Sequence, residues 1–194
     1  GEYGHKVKCW LTRNEQNTMI LHPGAIGLPP GKSLPDKKTL YQQSHHMLVA
    51  QARVFALCHR LCPQSGIGPA INTTSMYQES CRPEDAIAAH NWETLRCWSF
   101  LDVAVLGRYN ALAWSYLEDR NIAPTMSAED LQILAAAKPN FVAINYYSTA
   151  TIAASQGDNS DISARAGDQQ IMLENPESIV PQKIRLSAKR PMVG

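Results

Sequence analysis

Leu40, Met47, Val54 and Leu61 recur every seven residues, and Tyr41, Leu48, Phe55 and Cys62 repeat that spacing one step on. A continuous apolar stripe of this kind predicts a long helix from Lys37 to Cys62, with Ser33-Leu34-Pro35-Asp36 as a capping-box pattern near its start. A second helix is predicted from Pro83 to Leu106, since Pro83, Glu84 and Asp85 suit a first turn and Gly107 suits a stop. Ile87, Asn91, Thr94, Trp98, Leu101 and Val105 would share its face. A third helical piece, 111–121, carries Leu112, Trp114, Tyr116 and Leu117. A fourth opens on the capping box Ser127-Ala128-Glu129-Asp130 and ends before Pro139.

Between the helices lie three short strand candidates bounded by turn residues: Val7–Thr12, Ile67–Asn72 and Phe141–Tyr147. Strands alternating with long amphipathic helices predict βα units on a parallel sheet, hence an α/β fold of about three parallel strands. A complete eight-fold barrel needs about 250 residues, more than the chain has. Residues 1–150 read as one domain and 151–194 as a loop-rich segment. Within the latter, Ser155 to Gly167 is rich in Gly, Ser, Asp and Asn, and the basic stretch from Lys183 to Arg190 reads as a solvated, mobile end. Val7 to Thr12 reads as a buried strand after only a short lead-in, as expected of a short protein or of an internal cut from a longer one.

Lys and Arg number 18 against 17 Asp and Glu, a net charge of +1, so no global field favours nucleic acid or an anionic membrane. No apolar run approaches the roughly 18 residues of a membrane span, and the first residues lack a signal peptide's apolar core. The five cysteines, Cys9, Cys58, Cys62, Cys81 and Cys97, are an odd count that suits free thiols in a reducing compartment, so a cytoplasmic location is expected. Cys58 and Cys62 stand at the i, i+4 spacing of a possible zinc pair. They lie on or beside the apolar stripe without a second pair, and read as core thiols. Neither a metal nor a cofactor is expected. Trp10 and Trp98 read as core residues; Trp92 and Trp114 are left undecided.

The sharpest candidate chemistry is Trp10-Leu11-Thr12-Arg13-Asn14-Glu15-Gln16-Asn17. A carboxylate just after a buried parallel strand lies where α/β sheets and barrels place catalytic groups, although an Asn-Glu pair there is more often only a polar loop. The segment resembles the Thr-Phe-Asn-Glu motif of family 1 glycoside hydrolases. Four further segments resemble the same family in the same order: His45-His46-Met47-Leu48, Gly66 to Asn72, Phe100-Leu101-Asp102 with Gly107-Arg108-Tyr109, and Ile144-Asn145-Tyr146-Tyr147-Ser148. Gln16-Asn17 and the His-Pro-Gly-Ala-Ile run at 22–26 are most similar to the bacterial 6-phospho-β-glucosidases.

This resemblance implies a partial (β/α)8 TIM barrel and a retaining β-glucosidase acting on β-glucosides or β-glucoside 6-phosphates. It makes Glu15 the general acid/base, gives Asn14 the sugar 2-hydroxyl, places Asn145 in the sugar subsite and has Tyr147 orient the nucleophilic carboxylate. The family's nucleophile motif, of Thr-Glu-Asn-Gly type, and its phosphate-gripping Ser, Lys and Tyr cluster do not occur in the sequence. Glu174-Asn175-Pro176 shares two letters with the former but follows no predicted strand. Arg13, Cys9, Val103 and Gln78 depart from the family pattern, and Arg13 is expected to hold Glu15 ionised. A half-barrel exposes sheet edges and apolar surface, so self-association or a complementary barrel half is expected. The competing reading is a non-catalytic remnant that binds carbohydrate weakly or serves as a protein-interaction module.

Overall fold

The structure, a computed structural model, describes residues 3–21 and 35–154 and three short strand segments at 165–166, 169–170 and 182–185. Strand β1 (Cys9–Leu11) pairs in parallel with β2 (Gly66–Gly68), Cys9 lying opposite Gly66. Pro69 has no N–H to donate and interrupts the ladder. The strand resumes as β3 (Ala70–Gln78), which pairs in parallel with β4 (Ala143–Ala154). Asn140 N donates to Ile67 O at 2.8 Å and Ala143 N to Pro69 O at 2.9 Å, so the sheet runs on past the proline. Three parallel strands joined through helices are the α/β arrangement expected.

Two strands run further than their sequence suggests. Expected to stop at Asn72 and Tyr147, they continue to Gln78 and Ala154. The added stretches are held from one side by helix α3 (Pro83–Glu93): its Ala88, Ala89 and Trp92, together with Leu21 from the segment after β1, bury Ala150, Ile152 and Ala154. The pairing register slips between Thr73 and Thr74, so Thr73 faces Tyr146, Thr74 faces Ser148, and Tyr147 is left as the extra residue of a β-bulge. The slip changes which residues face inward: Ile144 and Tyr146 are exposed before it, whereas Ala150 and Ile152 are buried after it. Arg165–Ala166 (β5) and Gln169–Gln170 (β6) form a small antiparallel pair. Beyond them β7 (Gln182–Arg185) lies antiparallel on Thr151–Ala154. That part of the basic stretch is therefore a strand, not a mobile end.

Helix α2 (Lys37–Leu61) is capped by the Asp36 side chain, which accepts from Thr39 N at 2.9 Å; Ser33 lies outside the described residues. The Tyr41–Leu48–Phe55 row packs inward as predicted, but Val54 and Leu61 are exposed. A row repeating every seven residues drifts about 20° per heptad on a straight helix, so one of two adjacent rows leaves the core. The second predicted helix is interrupted by a π-helical turn at Thr94–Trp98 between α3 and α4 (Ser99–Leu106). The extra residue in that turn rotates the face. Trp98 and Val105 are consequently exposed, while Arg96 and Val103 are buried; before the turn, Ile87 is exposed and Trp92 buried. Trp98 is thus not a core residue, and Trp92 is. Gly107 ends α4 in the left-handed conformation, φ 72°, as a C-cap. Helices α5 (Ala111–Asp119) and α6 (Ala128–Ala136) follow, the latter with the predicted Ser127–Asp130 capping box. All five cysteine thiols are unpaired; Cys97 is buried, whereas Cys58 and Cys62 are only half-buried.

His45, fully buried on α2, joins three elements: its Nδ1 is 2.9 Å from the Tyr109 hydroxyl and its Nε2 is 3.6 Å from Asp130 Oδ2 on α6. Burial pulls the imidazole below its ordinary pKa, with Asp130 opposing and the neighbouring His46 adding to the effect. The unfolded chain therefore binds this proton more readily than the folded one. Its contribution to stability is complete above about pH 6.5 and lost as pH falls below it. The urea midpoint should drop between pH 7 and pH 5, and His45→Asn should flatten that slope; an equal slope in both proteins would dissociate the acid sensitivity from His45.

Candidate active site

The loop after β1 begins as a continuation of the sheet. Thr12 N donates to Gly68 O and Glu15 N to Ala70 O, while the Thr12 hydroxyl donates to Gln51 Oε1 on α2 at 2.8 Å. The chain then turns sharply at Glu15, whose φ of 50° lies in the left-handed region. Thr18 N donates back to Glu15 O as the short helix α1 (Thr18–Leu21) opens. A non-glycine residue in this conformation is held by its surroundings, and such strain clusters at functional sites.

Those surroundings are polar and convergent. Glu15 Oε1 accepts from Asn145 Nδ2 at 2.9 Å and from the Tyr147 hydroxyl at 2.5 Å. Its Oε2 accepts from Asn72 Nδ2 and from the Thr18 hydroxyl, both at 3.3 Å. Asn145 Nδ2 also donates to Asn14 Oδ1 at 2.8 Å, and Asn14 itself is exposed. The four residues singled out in the sequence, Glu15, Asn14, Asn145 and Tyr147, therefore form one cluster between the loop that follows β1 and the first half of β4. Tyr147, expected to serve a second carboxylate, donates to Glu15 here.

Burial alone would raise the Glu15 pKa, but the bonds from Tyr147, Asn145, Asn72 and Thr18 outweigh it and hold the carboxyl below its usual value. The Tyr147 hydroxyl is pushed up in turn, chiefly by its bond to Glu15. Arg13 does not play the part expected of it: its guanidinium donates to the Met47 thioether at 3.1 Å, and neutral donors keep Glu15 charged. A carboxylate held this way is ionised near neutral pH, with no proton to give, and the donors that stabilise it also weaken it as a base.

The sequence reading overlooked the residues beneath the cluster. Asn17, 0% exposed, donates to Asn72 O and Arg96 O at 2.8 and 2.9 Å and accepts from Asn72 N at 3.1 Å. Asn17 was visible as part of the Gln16-Asn17 ending and Asn72 as the end of a strand segment, but nothing local in the sequence ties them together. Among the described residues no cluster of three or more His, Cys, Asp or Glu side chains is placed to hold a metal ion, and no helix is long and apolar enough to cross a membrane. Glu174 lies outside the described residues.

Residues 1–189 match the profile of Glycosyl hydrolase family 1. The aryl-phospho-beta-D-glucosidase BglC of Bacillus subtilis (strain 168) is 35% identical over 150 residues, 77% of this chain and 31% of that protein. A 6-phospho-beta-glucosidase of Dickeya chrysanthemi is 34% identical over 176 residues, 90% of this chain and 36% of that one. The chain thus spans about a third of the length of these relatives. Among solved structures, the family 1 b-glucosidase of Thermotoga maritima superposes with a TM-score of 0.68 at 23% identity, over 80% of this chain and 34% of that one. The beta-glucosidase of Trichoderma harzianum superposes at 0.69 and 19% identity, over 92% of this chain and 35% of that chain. The fold is therefore a part of a TIM barrel, as its strands and helices suggest.

Proposed function

The chain belongs to glycosyl hydrolase family 1, and from that membership we propose that it is the acid/base-bearing part of a retaining β-glucosidase acting on β-glucoside 6-phosphates. The observation that carries this reading is the convergence of Asn145, Tyr147, Asn72 and Thr18 on the carboxylate of Glu15. The 6-phosphate preference is supported by the names of the relatives that match residues along most of the chain.

In this reading residues 1–150 supply the acid/base side of the site. Glu15 gives its proton to the glycosidic oxygen as a second carboxylate, about 5–5.5 Å away, attacks the anomeric carbon. The C–O bond to the aglycone breaks and a glycosyl ester forms. Glu15, now ionised, takes a proton from water, whose oxygen displaces the ester and regenerates both carboxyl groups. Asn14 binds the sugar 2-hydroxyl and Asn145 lines the same subsite. The neutral donors keep Glu15 in the ionised form from which the second half of this cycle starts. The first half needs Glu15 protonated, which a nearby second negative charge promotes by raising its pKa. Tyr147 is placed to transfer its hydrogen bond from Glu15 to that incoming carboxylate.

The second carboxylate would come from a complementary barrel half or from another copy of the chain. Leu11 on β1 and Ile144 and Tyr146 on β4 are 53%, 60% and 56% exposed, and apolar side chains at two sheet edges suit such a partner. The unpaired thiols suit a cytoplasmic setting.

A chimera tests the proposal. Residues 1–176 replace the matching segment of the Dickeya enzyme, and release of p-nitrophenol from its β-glucoside 6-phosphate is followed. Turnover that Glu15→Gln abolishes is the expected result, with none from the isolated chain. A folded chimera without turnover, beside an active parent, would overturn the catalytic reading and leave a carbohydrate-binding or protein-interaction remnant.

A further inference from the structure

Arg96 is the largest side chain among those less than 2% exposed, and its Nε and Nη1 have no hydrogen-bond partner. A buried guanidinium with unused donors is strongly unfavourable unless an opposite charge compensates it. The π-helical turn that carries Arg96 is itself an irregularity often found at functional sites.

We propose that Arg96 is a positioning residue for the acid/base, a buried positive charge whose counter-charge is Glu15 and whose π-helical turn fixes the β3 amide bonded to that carboxylate. The proposal rests on the reading of Glu15 given above, but its test measures charge and not turnover. Four hydrogen bonds link the turn to the site. Asn17 Nδ2 bonds both Arg96 O and Asn72 O, the Cys97 thiol is 3.6 Å from Asn72 O, and Asn72 Nδ2 bonds Glu15 Oε2. Burial lowers the Arg96 pKa, and the negative charges of Cys97 and Glu15 act against it. Cys97 is no real anion at neutral pH, because its own burial pushes the thiol up. Glu15 remains as the charge that answers Arg96, and since a Coulombic attraction is mutual, Arg96 favours the ionised carboxylate.

The unaltered chain provides the first measurement. The 15Nε resonance of Arg96, assigned by its loss in Arg96→Lys, is followed with pH beside the carboxyl carbon of Glu15. Both should titrate with one midpoint. An Arg96 resonance that stays flat while Glu15 titrates would overturn the proposal. Arg96→Met provides the second: the Glu15 midpoint should rise, while Arg96→Lys, which keeps the charge, should leave it near its original value. Equal midpoints in the Met variant and the original chain would also overturn it. Should the Met variant not fold, the measurement on the unaltered chain decides alone.

Discussion

Gly68→Ala is expected to lower the stability of the chain by about 3 kcal/mol or more, at the severe end of overpacking substitutions. A methyl group on Gly68 would lie 2.1 Å from the carbonyl oxygen of Phe141 and 2.9 Å from its carbonyl carbon. These are backbone atoms, so no side-chain rotation relieves the clash. The segment leading into β4 must instead move away from β2. The damage should also reach the active site, because Gly68 O accepts from Thr12 N at the start of the loop that carries Glu15. Gly66→Ala is the control, since its nearest contact would be the edge of the Phe141 ring at 3.4 Å. Urea unfolding of the two variants should give a large loss for Gly68 and a small one for Gly66. Equal midpoints would mean that the strands have room to part.

The same region shows why part of the fold was legible and part was not. Val7–Thr12, Ile67–Asn72 and Phe141–Tyr147 stand out as short apolar runs between turn residues, although only Ile67–Asn72 is mostly buried and much of the other two is exposed. The continuations through Asn72-Thr73-Thr74-Ser75 and Ser148-Thr149 are polar and resemble loops. They are strands because each pairs with the other and because Ala88, Ala89 and Trp92 cover part of their length. No local window contains that information. The bulge at Tyr147 and the π-helical turn at Thr94–Trp98 have a similar origin, since each adds one residue to a regular ladder and changes the face of everything after it. A periodicity carried straight through Thr94–Trp98 thus places Trp98 inside and misses Arg96.

The candidate site divides along the same line. Glu15, Asn14, Asn145 and Tyr147 were legible through resemblance to a family, whose motifs preserve the groups that meet substrate. Asn72 and Asn17 act on Glu15 or on its neighbours across 55 or more positions of the chain, and Thr18, three residues from Glu15, reaches it only because of the turn there. Arg13 shows the opposite error. Adjacency in sequence suggested an ion pair, but the turn at Glu15 leaves the guanidinium against Met47.

Asn17→Ala should be the most damaging polar substitution among these residues. It removes both bonds from Nδ2 to Asn72 O and Arg96 O and the acceptor for Asn72 N, all in a place of 0% exposure. Each buried group left without a partner costs about 1–3 kcal/mol, so a total of at least about 3 kcal/mol is expected. Lost volume and lost hydrogen bonding can be separated with Asn17→Asp. Aspartate fills the same space and keeps an acceptor for Asn72 N, but it turns a carboxylate oxygen toward two carbonyl oxygens. At pH 7 it should therefore be at least as destabilising as alanine. If packing were the main contribution of Asn17, the aspartate variant would stay close to the original protein in urea unfolding. The loss should also reach the Glu15 carboxylate, because Asn72, once released, no longer presents Nδ2 to it at a fixed position. The Glu15 titration midpoint should then rise in any folded Asn17 variant, since one of the bonds holding the carboxylate ionised is weakened. A destabilised chain with an unmoved midpoint would show that Asn17 supports the fold but not the ionised state of Glu15.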